Sequence, residues 1–315
     1  MEKRNDFRFS FLTWNLYLGA ELTSLLSIRQ EQIPKMVTKV FRQFLATNFP
    51  VRVKVLANEI ARKKPDFIGL QEAVRWQLVI PNFRIVTYDY VQWLQFELKK
   101  RGLDYEVAAQ NKNLSVELPD NCGNLIQVLD RDVILIRKAR GLKIAERMEA
   151  NFKNNLNVQI AGHRVEVIRG WSSIDVESNG KMFRMINTHL DTVTDIQVEQ
   201  GKEILEGPAD TMLPLIITGD LNSNAEGNGI TYRNFISAGF HDVWREVGKG
   251  HRFTCCQDPD LLNAVSGLDS RIDFILFKNG WRPIQSNVVG EKQHDRTAKG
   301  LWPSDHAGVS GRLIL

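Results

Sequence analysis

The residues Leu215-Ile216-Ile217-Thr218-Gly219-Asp220-Leu221-Asn222 form an apolar run that ends on a carboxylate and a carboxamide. Side chains alternate across a strand, so Asp220 and Asn222 face one side if the extended conformation persists through Gly219 and Leu221. Taking a carboxylate out of water is costly, and such a pair at a buried strand end needs solvent, a cation or a ligand. Gly-Asp and Asn-Ser are also ordinary turn dipeptides, and this stretch alone reads first as a turn. Five other places change that reading: Asn15 ends Thr13-Trp14-Asn15, Glu72 follows Gln71, His189 closes Asn187-Thr188-His189, Asp273 lies in Arg271-Ile272-Asp273, and Asp305 with His306 follows Ser304. Hard oxygen donors of this kind, without soft thiolates among them, suit magnesium, or manganese in its place.

Apolar strands must deliver these side chains. Phe7, Phe9 and Phe11 alternate with Arg8 and Ser10 ahead of Asn15, and a short apolar segment, PDFIGLQEA, ends on Glu72. Strand-like segments dominate the middle of the chain: DYEVAAQ, LIQVLDRDVILIRKA, NVQIAGHRVEVIRGWSSIDVES and KMFRMINTHLD. The last two are joined through Ser178-Asn179-Gly180, where Asn-Gly between alternating runs predicts a hairpin. RIDFILF and DHAGVSGRLIL are two late strands. Between them, residues 21–47 look helical but interrupted at Pro34, and Val53, Leu56 and Ile60 recur at helical spacing before Pro65 stops the helix. Helices are also expected over TYDYVQWLQFELKKRG, DIQVEQGKEILEG and ITYRNFISAGF. With no repeat, low-complexity segment or linker-like shift in composition, residues 1–315 read as one α/β domain.

In this order, T-W-N at 13–15, Q-E at 71–72, N-T-H-L at 187–190, G-D-L-N at 219–222, R-I-D at 271–273 and S-D-H at 304–306, the set resembles the endonuclease/exonuclease/phosphatase superfamily, which includes deoxyribonuclease I. The resemblance covers essentially the whole chain. It implies a four-layered α/β/β/α sandwich, two packed and mainly antiparallel sheets flanked by helices, with a site at one end. It also implies divalent-metal hydrolysis of a phosphoester.

Such hydrolysis needs a cation to neutralise the non-bridging oxygens, a polarised water in line with the leaving group, and stabilisation of the leaving oxygen. Glu72 is the first choice as metal ligand, with Asn15 and Asp305 beside it. Asp220 and Asn222 are expected to hold and activate the water or a second metal. His306 is expected near phosphorus with Asp273 orienting its ring, and the sequence leaves both His306 and Asp220 as candidates for the base. The resemblance implies that His189 contacts the phosphate or the leaving group, and the N-x-H-L form argues against abasic-site repair. Asp130, Arg131 and Asp132, on the segment similar to the family's central strand, are further candidates. Trp302 is the tryptophan best placed for a rim role, the other histidines read as structural, and the segment from Glu21 to Pro50 reads as either a substrate wall or a decorating helix.

Bulk properties set outer bounds. A hydrophobic content of 43%, charged content of 25% and net charge of +4 describe a globular chain and no polyanion track. Three cysteines, two of them adjacent, make a disulfide framework or zinc site unexpected, with Cys255 and Cys256 read as small buried thiols. Without a signal-peptide-like or membrane-spanning stretch, the expected location is cytoplasmic, and nothing specifies an obligate protein partner. The expected activity is a magnesium-dependent phosphodiesterase acting on nucleic acid or a phospholipid head group. The alternatives are a phosphomonoesterase of inositol-phosphate type and a catalytically silent module of the same fold.

Overall fold

The computed structural model describes residues 7–26, 28–138, 142–160 and 163–315; residues 1–6 and the side chain of His163 lie outside the described residues. The first sheet contains eight strands: β1 (Arg8–Asn15), β2 (Phe67–Gln71), β3 (Arg75–Ile80), β4 (Arg84–Asp89), β5 (Tyr105–Pro119), β6 (Leu125–Arg137), β15 (Arg282–Val289) and β16 (Gly308–Ile314). Their order is β15-β16-β1-β2-β6-β3-β4, with β5 also paired to β6. The second sheet runs β13-β14-β12-β11-β10-β7, from β7 (Lys143–Asn151), β10 (Gly170–Ser178), β11 (Lys181–His189), β12 (Leu215–Asp220), β13 (His241–Asp242) and β14 (Asp273–Lys278). A small hairpin, β8 (Leu156–Ile160) and β9 (His163–Val167), stands apart. Among the described residues only β1 with β2 and β11 with β12 pair in parallel as strands, so both main sheets are largely antiparallel, as expected.

Burial explains the layering. Phe9, Phe11 and Phe67 from the first sheet meet Phe183, Ile216 and Ile275 from the second in a core between the sheets. Outside the first sheet lie α1 (Ile33–Ala46), α2 (Phe49–Lys63) and α3 (Tyr90–Lys99). Outside the second lie α4 (Thr194–Glu206) and α5 (Ile230–Ser237), while a short α6 (Val243–Val247) follows β13. The run at 215–220 is buried along its whole length because Ile216 faces the inter-sheet core whereas Leu215 and Ile217 face α4 and α5.

Several local expectations need correction. Pro34 does not interrupt a helix; it lies in the first turn of α1, where a missing N–H removes no intrahelical bond. The helix expected from Thr87 starts at Tyr90, because β4 runs to Asp89 and the Asp89 carboxylate caps the amides of Val91 and Gln92 at 3.0 and 3.2 Å. Within segment 21–50, which the sequence leaves open, Phe44 of α1 stacks on Trp76 at 4.5 Å, and Gln43 reaches the carbonyl of Pro259 at 3.1 Å. The Asn179-Gly180 turn behaves as predicted, with φ of 50° and 77°.

The two sheets are also joined by polar groups. Asn187 on β11 accepts from the Gln71 amide of β2 at 2.7 Å and from Thr218 at 3.1 Å, and donates to the carbonyl of Leu70 at 3.0 Å. Gln71 continues the chain to Thr13 of β1 at 3.1 Å. Gly69 leaves the space: a Cβ there would stand 2.3 Å from Asn187 Oδ1 and 2.3 Å from Thr218 Oγ1. Beneath the loops, the fully buried Arg52 of α2 donates to the carbonyls of Thr47, Leu16 and Pro303 at 2.8, 3.0 and 2.7 Å.

Truncating Asn187 removes a buried hydrogen-bond partner from each of Gln71, Thr218 and Leu70. Urea denaturation should show Asn187→Ala less stable by about 2–4 kcal/mol. A loss below about 1 kcal/mol would mean that the polar bridge does not hold the sheets.

Candidate active site

Strand register builds the site. His189 at the end of β11 lies beside Asp220 at the end of β12, and Asp220 lies opposite Asp273 at the start of β14. Three side chains from three distant segments thus form one row across the second sheet. In the first sheet, Asn15 at the end of β1 lies beside Gln71 at the end of β2, and Glu72 is the next residue. Sandwich packing brings this edge against the row.

Asp220 is the meeting point. Its Oδ2 lies 3.2 Å from Asn15 Nδ2, 3.4 Å from His189 Nε2 and 3.8 Å from His306 Nε2. Asn15 Nδ2 also donates to Glu72 at 3.3 Å, and the other Glu72 oxygen accepts from the Leu18 amide at 2.6 Å. His306 Nδ1 is held by Asp273 Oδ2 at 2.9 Å. Ser304 donates to the carbonyl of Asn15 at 2.7 Å and Trp14 Nε1 to the carbonyl of His306 at 2.9 Å, so the Ser-Asp-His loop is fastened to β1. Asp220, Asp273, His189 and His306 are buried, while Glu72, Asn222 and Asp305 are half-buried above them.

All eight residues singled out for the site, Asn15, Glu72, His189, Asp220, Asn222, Asp273, Asp305 and His306, fall at this one end of the sandwich. Asn222 arrives by a different route from the one expected. The chain leaves β12 after Asp220 and Asn222 takes φ of 50°, so the extended conformation does not persist. Its amide bonds the Asp220 carboxylate at 2.9 Å, and its Nδ2 donates to the Leu190 carbonyl at 2.9 Å beside His189. Glu72 likewise turns out of its strand, with φ of 51°.

Arg169 also lies here. Its Nη1 lies 2.9 Å from His189 Nδ1 and 3.4 Å from Asp130. A guanidinium can only donate, so Nδ1 accepts and the neutral ring carries its proton on Nε2, toward Asp220. Nothing in Ile168-Arg169-Gly170 separates this arginine from the others along the chain. Alternation along β6 divides the three central-strand candidates: Asp130 and Asp132 share a buried polar group with Asn113, whereas Arg131 points away and pairs with Asp89 at 2.8 Å. Trp302 is not a rim residue; it is buried with Tyr17, Leu261 and Leu301 because its indole N–H is satisfied by the Asn263 carbonyl. Cys255 and Cys256 are joined as a disulfide, contrary to expectation, their Cα atoms standing only 3.1 Å apart, and Cys256 is exposed. His241, His251 and His294 are exposed away from the site.

Concentrated acids shift one another. Burial, with like charge from Asp305 and Asp130, raises the Glu72 carboxyl to about 7. Burial and Asp273 raise Asp220 to about 7 against the opposing pull of His306. Burial would push the His306 imidazolium down, but Asp273, Asp305 and Asp220 outweigh it and hold its pKa well above the ordinary value. His189 is displaced the other way, by burial and by Arg169. One imidazole is thus held charged and the other neutral. One ligand atom from each of Asp220, Asp273 and His306 lies within 4.8 Å of the others, and Asp273 Oδ1 is buried without a hydrogen-bond partner. An orphaned carboxylate oxygen, in a centre where Glu72 and Asp305 also crowd each other, fits a divalent cation with hard-oxygen preference.

The family model described as Endonuclease/Exonuclease/phosphatase family matches residues 12–306. No curated protein sequence matches the chain. Among solved structures, an endonuclease/exonuclease/phosphatase family protein from Leptotrichia buccalis is 19% identical, with a TM-score of 0.60 over 98% of this chain and 100% of that one. A mannosyl-6-phosphatase from Bacteroides thetaiotaomicron is 18% identical, with a TM-score of 0.58 over 98% and 100%. TDP2 of D. rerio, complexed with single-strand DNA product, is 19% identical, with a TM-score of 0.57 over 98% and 99%. At such identities the likeness is one of fold.

The raised Asp220 carboxyl has a consequence for stability. It titrates near 3.8 in an unfolded chain and near 7 when folded, so between these values the folded state holds a proton the unfolded state lacks. Stability therefore falls as pH rises through this window, and the deficit persists above it. In chelator, Asp220→Asn should be more stable than the parent at about pH 8 by about 1–3 kcal/mol, with a smaller gain at about pH 5. Urea melts that show no larger gain at the higher pH would refute this account of the buried acids.

Proposed function

The chain belongs to the endonuclease/exonuclease/phosphatase family, and from that premise we propose that it is a divalent-metal-dependent phosphoester hydrolase acting on diesters. The observation that carries this reading is the convergence on Asp220 Oδ2 of Asn15 from one sheet, His189 from the other, and His306 from the Ser-Asp-His loop.

Glu72, Asn15 and Asp305 would hold magnesium, or manganese in its place, through oxygen ligands. When bound, the cation supplies positive charge to the non-bridging oxygens and to the leaving oxygen. Asp220, poised near neutrality, takes the proton from the attacking water; a base works best when its pKa lies near the working pH. His306, held as an imidazolium by three carboxylates, donates a hydrogen bond to a phosphoryl oxygen as charge develops there, and Asp273 fixes its ring. This divides the labour that sequence left open between His306 and Asp220. His189 stays neutral, oriented by Arg169 and flanked by Asn222, and faces the phosphate or the leaving group.

Among the described residues the only lysine or arginine that reaches the His189–Asp220 side of the site by a hydrogen bond is Arg169. A terminal phosphate dianion calls for a denser cluster of cations, and this sparseness favours a diester. Nucleic acid and phospholipid head groups are the substrate classes in view, and the DNA product held by D. rerio TDP2 supports the first. A phosphomonoesterase is the second reading, supported by the likeness to a mannosyl-6-phosphatase.

Release of nitrophenol from bis-p-nitrophenyl phosphate should require magnesium and stop with chelator. Glu72→Gln and His306→Ala should each lower turnover by at least about a thousandfold while circular dichroism stays unchanged. Near-parental rates in either variant would place the site elsewhere. A parallel series of plasmid DNA, RNA, sphingomyelin and sugar or inositol monophosphates discriminates the two readings, and silence on all of them would leave a binding module.

A further inference from the structure

Cys255 and Cys256 have no part in the hydrolysis described above, yet they lie against its centre. Cys255 pairs as an antiparallel bridge with His306 and also with Ser270. On either side of the cysteines, the amide of Gln257 donates to the carbonyl of Asp305 at 2.8 Å, and the amide of Ala307 donates to the carbonyl of Thr254 at 2.8 Å. The pair is therefore pinned by backbone to the loop that carries His306. One ligand atom from each of Cys255, Cys256 and His306 lies within 4.8 Å of the others. Cys255 is buried and Cys256 exposed, so the cluster has an inner donor and a side open to solvent.

The chemistry of this donor set differs from that of the oxygen-lined centre beside it. Two thiolates and an imidazole are soft to borderline ligands, which select zinc over magnesium, and three protein ligands leave a fourth tetrahedral position for water. His306 already has the support that zinc-ligating histidines carry: its Nδ1 is held by the Asp273 carboxylate at 2.9 Å, which leaves Nε2 for an ion once its proton is displaced. We propose that the reduced Cys255-Cys256 pair and His306 form a site for a thiophilic divalent cation, Zn2+, separate from the oxygen-donor centre, and that filling it withdraws His306 from hydrolysis. The sulfurs stand joined as a disulfide in the structure. A dithiol supplies two electrons and two protons, closing to its own disulfide as it opens this one to two thiols; zinc binding then releases the two thiol protons and the Nε2 proton of the His306 imidazolium to solvent.

The binding half of this inference stands without the proposed activity; only the inhibitory half rests on it. Co2+ serves as the spectroscopic probe, added anaerobically to the full chain after reduction. One Co2+ per chain should bind with a thiolate-to-metal charge-transfer absorption that Zn2+ displaces. The absorption should be absent from the oxidised protein and from the Cys255→Ser/Cys256→Ser variant. Losing a partner one shell beyond a metal typically costs about 10–100-fold in affinity, and losing a direct ligand costs no less, so Cys256→Ser should weaken Zn2+ binding by at least about tenfold. His306→Ala should weaken it similarly while keeping the charge-transfer band. With saturating magnesium, the Zn2+ concentration that halves hydrolysis should rise by at least about tenfold in Cys256→Ser, whose zinc-free rate stays at the parental value. No charge-transfer band in the reduced parent, or equal Zn2+ affinity in Cys256→Ser, overturns the site. An unchanged half-inhibiting concentration alongside altered binding overturns its effect on the reaction.

Discussion

The hydrogen bonds of Asn187 across the sandwich fix the offset between the two sheets, and distances in the polar centre inherit that offset. Glu72 and Asn15 belong to one sheet, whereas His189, Asp220 and Asp273 belong to the other. Apolar packing between sheets is strong but non-directional, and phenylalanine rings such as Phe11 and Phe183 tolerate small slips that an Asn15 to Asp220 contact of 3.2 Å cannot. A carboxamide that accepts from Gln71 and donates to the backbone of Leu70 supplies the missing direction.

The same division of labour recurs in most of the short motifs. In Thr-Trp-Asn, Asn15 reaches Asp220 and Trp14 clasps the carbonyl of His306. In Ser-Asp-His, His306 meets Asp273 while Ser304 bonds back to Asn15. In Arg-Ile-Asp, Asp273 serves the imidazole while Arg271 forms a buried pair with Asp242. Each of these three motifs thus carries one residue that enters the polar centre and one that sets where it stands. Positioning matters here because burial crowds Glu72, Asp220 and Asp305 until each holds its proton more tightly than a free carboxyl does. Arg52 answers part of that crowding from below, as a buried cation whose charge is felt at Asp305.

Much of this was legible because it is local. Strand ends announce themselves where an apolar run meets Asp, Asn, Glu or His, and the Asn179-Gly180 turn follows from the backbone freedom of those residues. That the eight singled-out residues come together at one end of the sandwich was legible, since their motifs sit at strand termini. What sequence could not show depends on three dimensions. Arg169 is distinguished only by the His189 ring that register brings beside it, and Trp302 looks like a rim residue until the Asn263 carbonyl is seen to satisfy its indole. Asn222 reaches this end by a left-handed turn and not by a continued strand, and alternation cannot tell a single left-handed residue from a continued strand.

His189, Asp220 and Asp273 occupy neighbouring strands in register, so their separation is graduated by the interstrand pitch of a sheet, roughly 4.8 Å. That pitch is a property of the peptide group and not of any side chain. The molecule therefore owns a ruler that mutation in the loops cannot recalibrate, and the rim around it can change while the spacing of His189, Asp220 and Asp273 stays the same.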